Sequence, residues 1–247
     1  MKADNMKKII QKAEERGTAE HGWLHSKFSF SFAEYYDPNK MGFGMLRVLN
    51  DDIIEPGQGF GTHPHNNMEI ITIMLKGELE HKDSSGSGSV IMPGEIQVMS
   101  AGTGILHSEF NHSQTELTNL LQLWIIPKER NIRPRYDQKY FSLDENQNGM
   151  IKTVSGNKSD NVLYIHQDAV ISIGKLDAGQ KLNYNFSYKN NGAYLFVISG
   201  RINFGGDQLN NRDAIGIYEA DNFEVSSLTK SELVIIEVPM NQPVRMI

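Results

Sequence analysis

Four side chains in the first half of the chain could donate to a metal ion: the pairs His63-Pro64-His65 and His107-Ser108-Glu109. Both pairs are spaced i, i+2. On an α-helix that step turns by about 200° and points the two side chains apart. On a strand it puts them on one face, roughly 7 Å apart along the backbone. Two neighbouring strands could then bring three imidazoles and a carboxylate to one point. Nitrogen and hard-oxygen donors of this kind suit Fe, Mn, Ni, Cu or Zn. Four such ligands either close a tetrahedral Zn site or leave positions open on a six-coordinate ion, and only the open form supports substrate chemistry. His-x-His alone is more often a pair of exposed or hydrogen-bonded histidines. The second pair strengthens the metal reading. So do Gly59, Gly61, Gly94, Gly102 and Gly104, which allow tight turns around both pairs.

Composition narrows the chemistry further. The 247 residues include no cysteine, so disulfides, thiolate metal sites and cysteine nucleophiles are excluded. Lys plus Arg number 24 against 30 for Asp plus Glu, a net charge of -6, which argues against broad nucleic-acid binding. The longest apolar run, Met68 to Leu75, contains Glu69 and Thr72 and is too short to cross a bilayer. Met1 to Gly17 carries mixed charge and no export-type apolar segment. A soluble, cytoplasmic protein without a membrane partner is expected.

The elements that must position the histidines read as strands. Met68 to Leu75 stops at Gly77, Ser89 to Met92 at Pro93-Gly94, Ile96 to Met99 before Gly102, and Leu120 to Ile126 at Pro127. Met6 to Glu15 fits either a short helix or an edge strand, with the strand preferred. Pro127 to Tyr140 is charged, holds two prolines and reads as a solvated connector. Ser142 to Asn161 is polar and reads as loops around short strands. The β rhythm resumes with Ala193 to Ile198, Ala214 to Tyr218 and Leu233 to Val238. A faint repeat links the halves: Gly57 and Gly77 bracket the first histidine segment, and Gly179 and Gly200 bracket Asn185-Phe186-Ser187.

These motifs resemble those of cupins. Gly57, His63, His65, Glu69 and Gly77 follow the first cupin motif, and Gly94, Gly102, His107 and Asn111 the second. Ser100 stands at the second motif's proline, and two extra residues precede His107. More specifically, the chain resembles the pirin family of bicupins, and within it the bacterial pirin-like quercetin 2,3-dioxygenases. The matching stretches are Glu15-Arg16-Gly17, His21 to Leu24, Phe28 to Phe32, Tyr35 to Pro38, Gly59 to His65 and Ser100 to Glu109. Together they span most of residues 15 to 140.

The resemblance implies an all-β fold of two tandem cupin (double-stranded β-helix) barrels. Residues 1–132 would form a metal-binding domain and 133–247 a metal-free one, with Asn185 and Ser187 in place of His63 and His65. It implies His63, His65, His107 and Glu109 as ligands of one divalent metal. Fe(II) is favoured, with Ni, Mn, Co, Cu and Zn as alternatives. It implies dioxygenase activity on a flavonol, with Glu109 accepting the proton of the substrate hydroxyl, O2 as co-substrate and carbon monoxide as product. A monomer is expected. The alternative is a metal-dependent regulator that binds a protein partner without turnover. Glu69 is kept as a replacement ligand, a support for one, or an ordinary polar residue at a strand start. His81, His112, His21, His25 and His166 are read as packing or surface residues, although His81 could orient a ligand.

Overall fold

The computed structural model describes residues 6–143 and 148–240. They form two sandwich-like barrels, each a seven-stranded sheet facing a four-stranded one. In the first barrel the large sheet runs, in spatial order, Arg135–Tyr140, Glu95–Ser100, Glu69–Lys76, Thr118–Ile125, Leu46–Ile54, Leu24–Phe28, Gly17–Glu20. Its small sheet runs Gly59–His65, Ile105–Asn111, Leu79–Asp83, Gly88–Ile91. The second barrel repeats the plan. Its large sheet is Lys7–Gln11, Ala214–Tyr218, Asn191–Ser199, Ser231–Pro239, Val170–Leu176, Gly149–Ser155, Leu163–Tyr164. Its small sheet is Lys181–Asn185, Asn222–Ser227, Ile202–Phe204, Asp207–Leu209. The expected pair of tandem cupin barrels is therefore what the chain forms. No helix among the described residues is long and apolar enough to cross a membrane.

Burial explains which sequences became which strands. Glu69–Lys76 is buried at six successive positions because both of its faces are covered. One face lines the barrel. The other packs on the second barrel, so the strand reads as a continuous run rather than an alternation. Ile105–Asn111 alternates buried with more exposed residues, as a strand with one wet face should. The outer faces of the two large sheets meet in one apolar cluster that includes Leu49, Ile71 and Leu121 from the first barrel and Ile171, Phe196 and Val234 from the second.

Three segments differ from, or sharpen, the sequence reading. Met6 to Glu15 is a strand, Lys7–Gln11, followed by a 3-10 turn, and the strand pairs with Ala214–Tyr218 of the second barrel. Pro127 to Tyr140 is not all connector. Arg135–Tyr140 is the edge strand of the first barrel's large sheet, paired with Glu95–Ser100. Its residues are half-buried or exposed, so it carries no apolar run to betray it. Each terminal edge is thus supplied from outside the run of strands it completes. Of Ser142 to Asn161, read as loops around short strands, residues 144–147 lie outside the described set, and Gly149–Ser155 is such a strand.

Candidate metal centre

His63 and His65 lie on the edge strand of the first small sheet, and His107 and Glu109 lie on its neighbour. The pairing sets His107 opposite His63 and Ile105 opposite His65. The register then slips between His107 and Glu109, where a bulge re-aims the carboxylate. Gly59 permits this crossing, since a Cβ there would meet the Glu109 carbonyl at 2.2 Å. The three imidazoles converge: ring centres are 4.8 Å apart for His63–His65, 4.4 Å for His63–His107 and 4.9 Å for His65–His107. Their ligand atoms all lie within 4.8 Å of one another. Glu109 falls instead into a second group of the same span, with His81 and His107. The sequence-predicted set is therefore brought into two overlapping triads that share His107.

Hydrogen bonds and burial together set the state of the donors. His63 Nδ1 donates to the Gly61 carbonyl at 2.8 Å, which leaves the Nε2 lone pair free. Burial, with a smaller contribution from His63, lowers the pKa of His65 to about 4. Burial and the neighbouring histidines lower that of His107 to about 3. Both rings are therefore neutral near pH 7, the state a metal requires. Burial raises the pKa of the Glu109 carboxyl to about 7, and its hydrogen bond from Gln122 opposes that rise. Trp124 Nε1 donates to Gln122 Oε1 at 3.0 Å, and Gln122 Nε2 donates to Glu109 Oε2 at 2.8 Å. The donor-only indole thereby sets which end of the amide faces the carboxylate. His81 donates from Nε2 to Asp83 at 3.1 Å, so its Nδ1 bears a lone pair.

The donor set fits a cation. Both nitrogens of His107, Oε1 of Glu109 and Nδ1 of His81 are buried without a hydrogen-bond partner among the described residues. Orphaned polar atoms of this kind are costly unless an ion or water meets them. Here Glu109 Oε1, His81 Nδ1 and one of the two His107 nitrogens offer lone pairs in one interior, which matches the demands of a borderline divalent metal.

Beside the histidines lies a cavity of about 550 Å³. His63, His65 and Glu109 contribute to its lining, and Trp23, Phe28, Phe32, Phe60 and Trp124 supply aromatic walls. Its size and mixed character suit a flat aromatic ligand with a few polar groups.

Other residues separate from this centre. Glu69 faces the second barrel, where Ser100 donates to it at 2.7 Å and His166 Nδ1 lies 3.3 Å away. It is absent from both ligand triads. His25 pairs with Glu20 on the surface, His112 is exposed, and His21 is an exposed residue on the cavity wall. His81, read from sequence mainly as a packing residue, is fully buried and belongs to the second triad. Its signal was present in His81-x-Asp83, which has the same i, i+2 spacing as the ligand pairs. Asn50, Asp52, Gln122 and Trp124 also line the cavity. In sequence Asn50 and Asp52 sit in the polar run Asn50-Asp51-Asp52, and Gln122 is a single polar residue within Leu120-Leu121-Gln122-Leu123-Trp124.

Two cupin barrels, one with convergent histidines in its interior, define a bicupin. The chain belongs to the pirin family. The family profile described as Pirin matches residues 10–125, and one described as the quercetinase C-terminal cupin domain matches 153–238. The chain is 42% identical to quercetin 2,3-dioxygenase of Escherichia coli K12 over 230 residues, 93% of this chain and 98% of that protein. It is 40% identical to a pirin-like protein of Caulobacter vibrioides over 222 residues, 90% of this chain and 95% of that one. The crystal structure of the Escherichia coli bacterial pirin YhhW in complex with nickel(II) superposes with a TM-score of 0.89 at 42% identity, covering 94% of this chain and 99% of that one.

Proposed function

We propose that His63, His65, His107 and Glu109 hold one divalent transition metal, and that the protein is a dioxygenase that opens the ring of quercetin-like flavonols. Fe(II) is the favoured ion, with Ni, Mn, Co, Cu and Zn as alternatives that the same donors accept. The observation that carries this reading is the convergence of three imidazoles, two of them on the wall of an aromatic-lined cavity that also presents a buried carboxyl. The family resemblance, and a nickel-bound relative of near-identical fold, support it.

Bound there, the ion supplies positive charge that acidifies a substrate hydroxyl and a partner for O2 chemistry. The chain's own residues do the rest. Trp23, Phe28, Phe32, Phe60 and Trp124 offer faces and edges against which flavonol rings pack. Glu109 Oε1 takes the proton of the flavonol 3-hydroxyl. Gln122, steadied by Trp124, keeps the other carboxylate oxygen engaged, so that Oε1 faces the substrate. The deprotonated flavonol then reacts with O2, and carbon monoxide leaves as the ring opens. The monomeric state belongs to the same reading, as does the partition into residues 1–132 and 133–247 save for the exchanged edge strands Lys7–Gln11 and Arg135–Tyr140. The test is metal content measured together with aerobic quercetin loss and O2 uptake. Well-metallated protein that leaves a flavonol panel untouched would end the activity claim.

A further inference from the structure

The cavity has a second polar face away from the histidines. Asn50 and Asp52 project from Leu46–Ile54 at i, i+2, each 3% exposed, and both line the cavity. Asp52 is paired in register with Ser26 on the adjacent strand, and the Ser26 hydroxyl donates to Asp52 Oδ1. Asn50 Oδ1 is buried with no hydrogen-bond partner among the described residues. Leu24 and Ile54 in the adjoining cluster and Phe28 on the facing strand are apolar, and Gln122, in register with Asn50 on the other side, commits its amide to Glu109 and Trp124. One serine hydroxyl is a thin complement for a carboxyl and an amide oxygen in such surroundings. Nothing in the proposed proton transfer uses either residue. Two acceptors on an aromatic-walled cavity call for a ligand that brings donors, and a phenolic hydroxyl is such a donor on an otherwise flat, apolar frame.

We infer that Asp52, steadied by Ser26 and flanked by the Asn50 amide oxygen, accepts a hydrogen bond from a substrate hydroxyl remote from the one at the histidines. The site thereby selects polyhydroxylated aromatics over singly hydroxylated ones. A pocket built to bond a hydroxyl discriminates against the analogue lacking it, because its own polar atoms are then left unpaired. The inference rests on the flavonol reading for its choice of probes, and its test is binding rather than turnover.

The chain's 2 tryptophans, Trp23 and Trp124, both line this cavity, so intrinsic fluorescence reports on its occupant. Protein loaded with Ni(II) and kept free of O2 is titrated with quercetin and with 3-hydroxyflavone. Wild type is expected to bind quercetin more tightly. Asp52→Leu should weaken quercetin about ten- to hundredfold and leave 3-hydroxyflavone nearly unchanged. Asp52→Asn, which keeps the shape and one acceptor, guards against a folding defect and should show the same selectivity loss at smaller size. Equal losses for both ligands would mark Asp52 as merely structural and overturn the inference. So would no loss for either, no quercetin preference in wild type, or no binding at all. Selective binding without turnover would sink the dioxygenase reading and leave this one standing. Turnover indifferent to Asp52 would do the reverse.

Discussion

Across the inner face of the first barrel's large sheet, paired positions read Asn50, Gln122, Thr72, Gln97 and Gln138. Across the same face of the second they read Ser172, Ile235, Leu195, Ile215 and Ile10. The small sheets differ in the same sense. The first presents His63, His107 and His81. In the second, Tyr184 stacks on Phe223 with ring centres 5.2 Å apart, and Phe204 and Val225 complete an apolar cluster. The second barrel's buried acid also differs. Glu237 accepts hydrogen bonds from Tyr184 Oη, the backbone N–H groups of Ser187 and Tyr188, and Asn191 Nδ2. Glu109 keeps an orphaned oxygen. One topology therefore serves two purposes. A barrel closed by side-chain packing is a scaffold, whereas one with unpaired donors inside needs an occupant.

The largest test removes the occupant. His63→Ala, or treatment with a chelator, should drop bound metal to background and reduce quercetin loss by more than about hundredfold. Elemental analysis alongside O2 uptake checks both. Metal that stays bound after the substitution would mean that the His81, His107 and Glu109 triad holds it instead. Next in size, Glu109→Gln at saturating metal should lower kcat by about a hundred- to ten-thousandfold, the usual range for a general base. A small effect would assign the proton to another group.

A third test compares the fillings directly. Leu195 is fully buried in the second barrel, and Leu195→Ala should cost about 2–5 kcal/mol in urea unfolding. Gln97 occupies the neighbouring strand position in the first barrel, with both amide atoms buried and unpartnered among the described residues. Gln97→Leu should change stability by less than about 1 kcal/mol, because it removes two unpaired polar atoms along with whatever water meets them. Equal costs would mean that the two interiors are packed alike after all.

Much of this comparison was legible before folding. The i, i+2 spacing placed His63 with His65 and His107 with Glu109 on strand faces. The missing histidines at Asn185 and Ser187 separated the two halves. Registers were not legible. No local pattern shows that Gln122 sits between Asn50 and Thr72, because a polar residue in an apolar strand looks the same whichever neighbour it meets. The exchange of edge strands was equally hidden. Lys7–Gln11 and Arg135–Tyr140 are polar segments whose pairing is set by the geometry of the assembled sheets. The role of Glu69 stayed open in the sequence for a related reason. Its position in the cupin motif suggests the metal, but the strand's pleat turns odd-numbered residues toward the interface with the second barrel.

That interface supplies a further test, of whether a buried acid between the barrels behaves like those inside the first. Burial raises the pKa of Glu69 from the ordinary carboxyl value of 4.5 to about 7, against the opposing pull of the Ser100 hydrogen bond. In the folded state the group keeps its proton after the unfolded chain has lost it. Its contribution to stability is therefore fully present below about pH 4.5 and is lost as pH rises through about 7. Glu69→Gln imitates the protonated form at every pH. In metal-free protein the stability of the variant relative to wild type should thus improve from pH 5 to pH 8, by an amount on the order of 2 kcal/mol. The other raised acids, Asp52 and Glu109, are common to both proteins and cancel in the difference. Parallel curves would mean that His166, 3.3 Å from Glu69, shares a proton with it and keeps the pair's charge constant across that range.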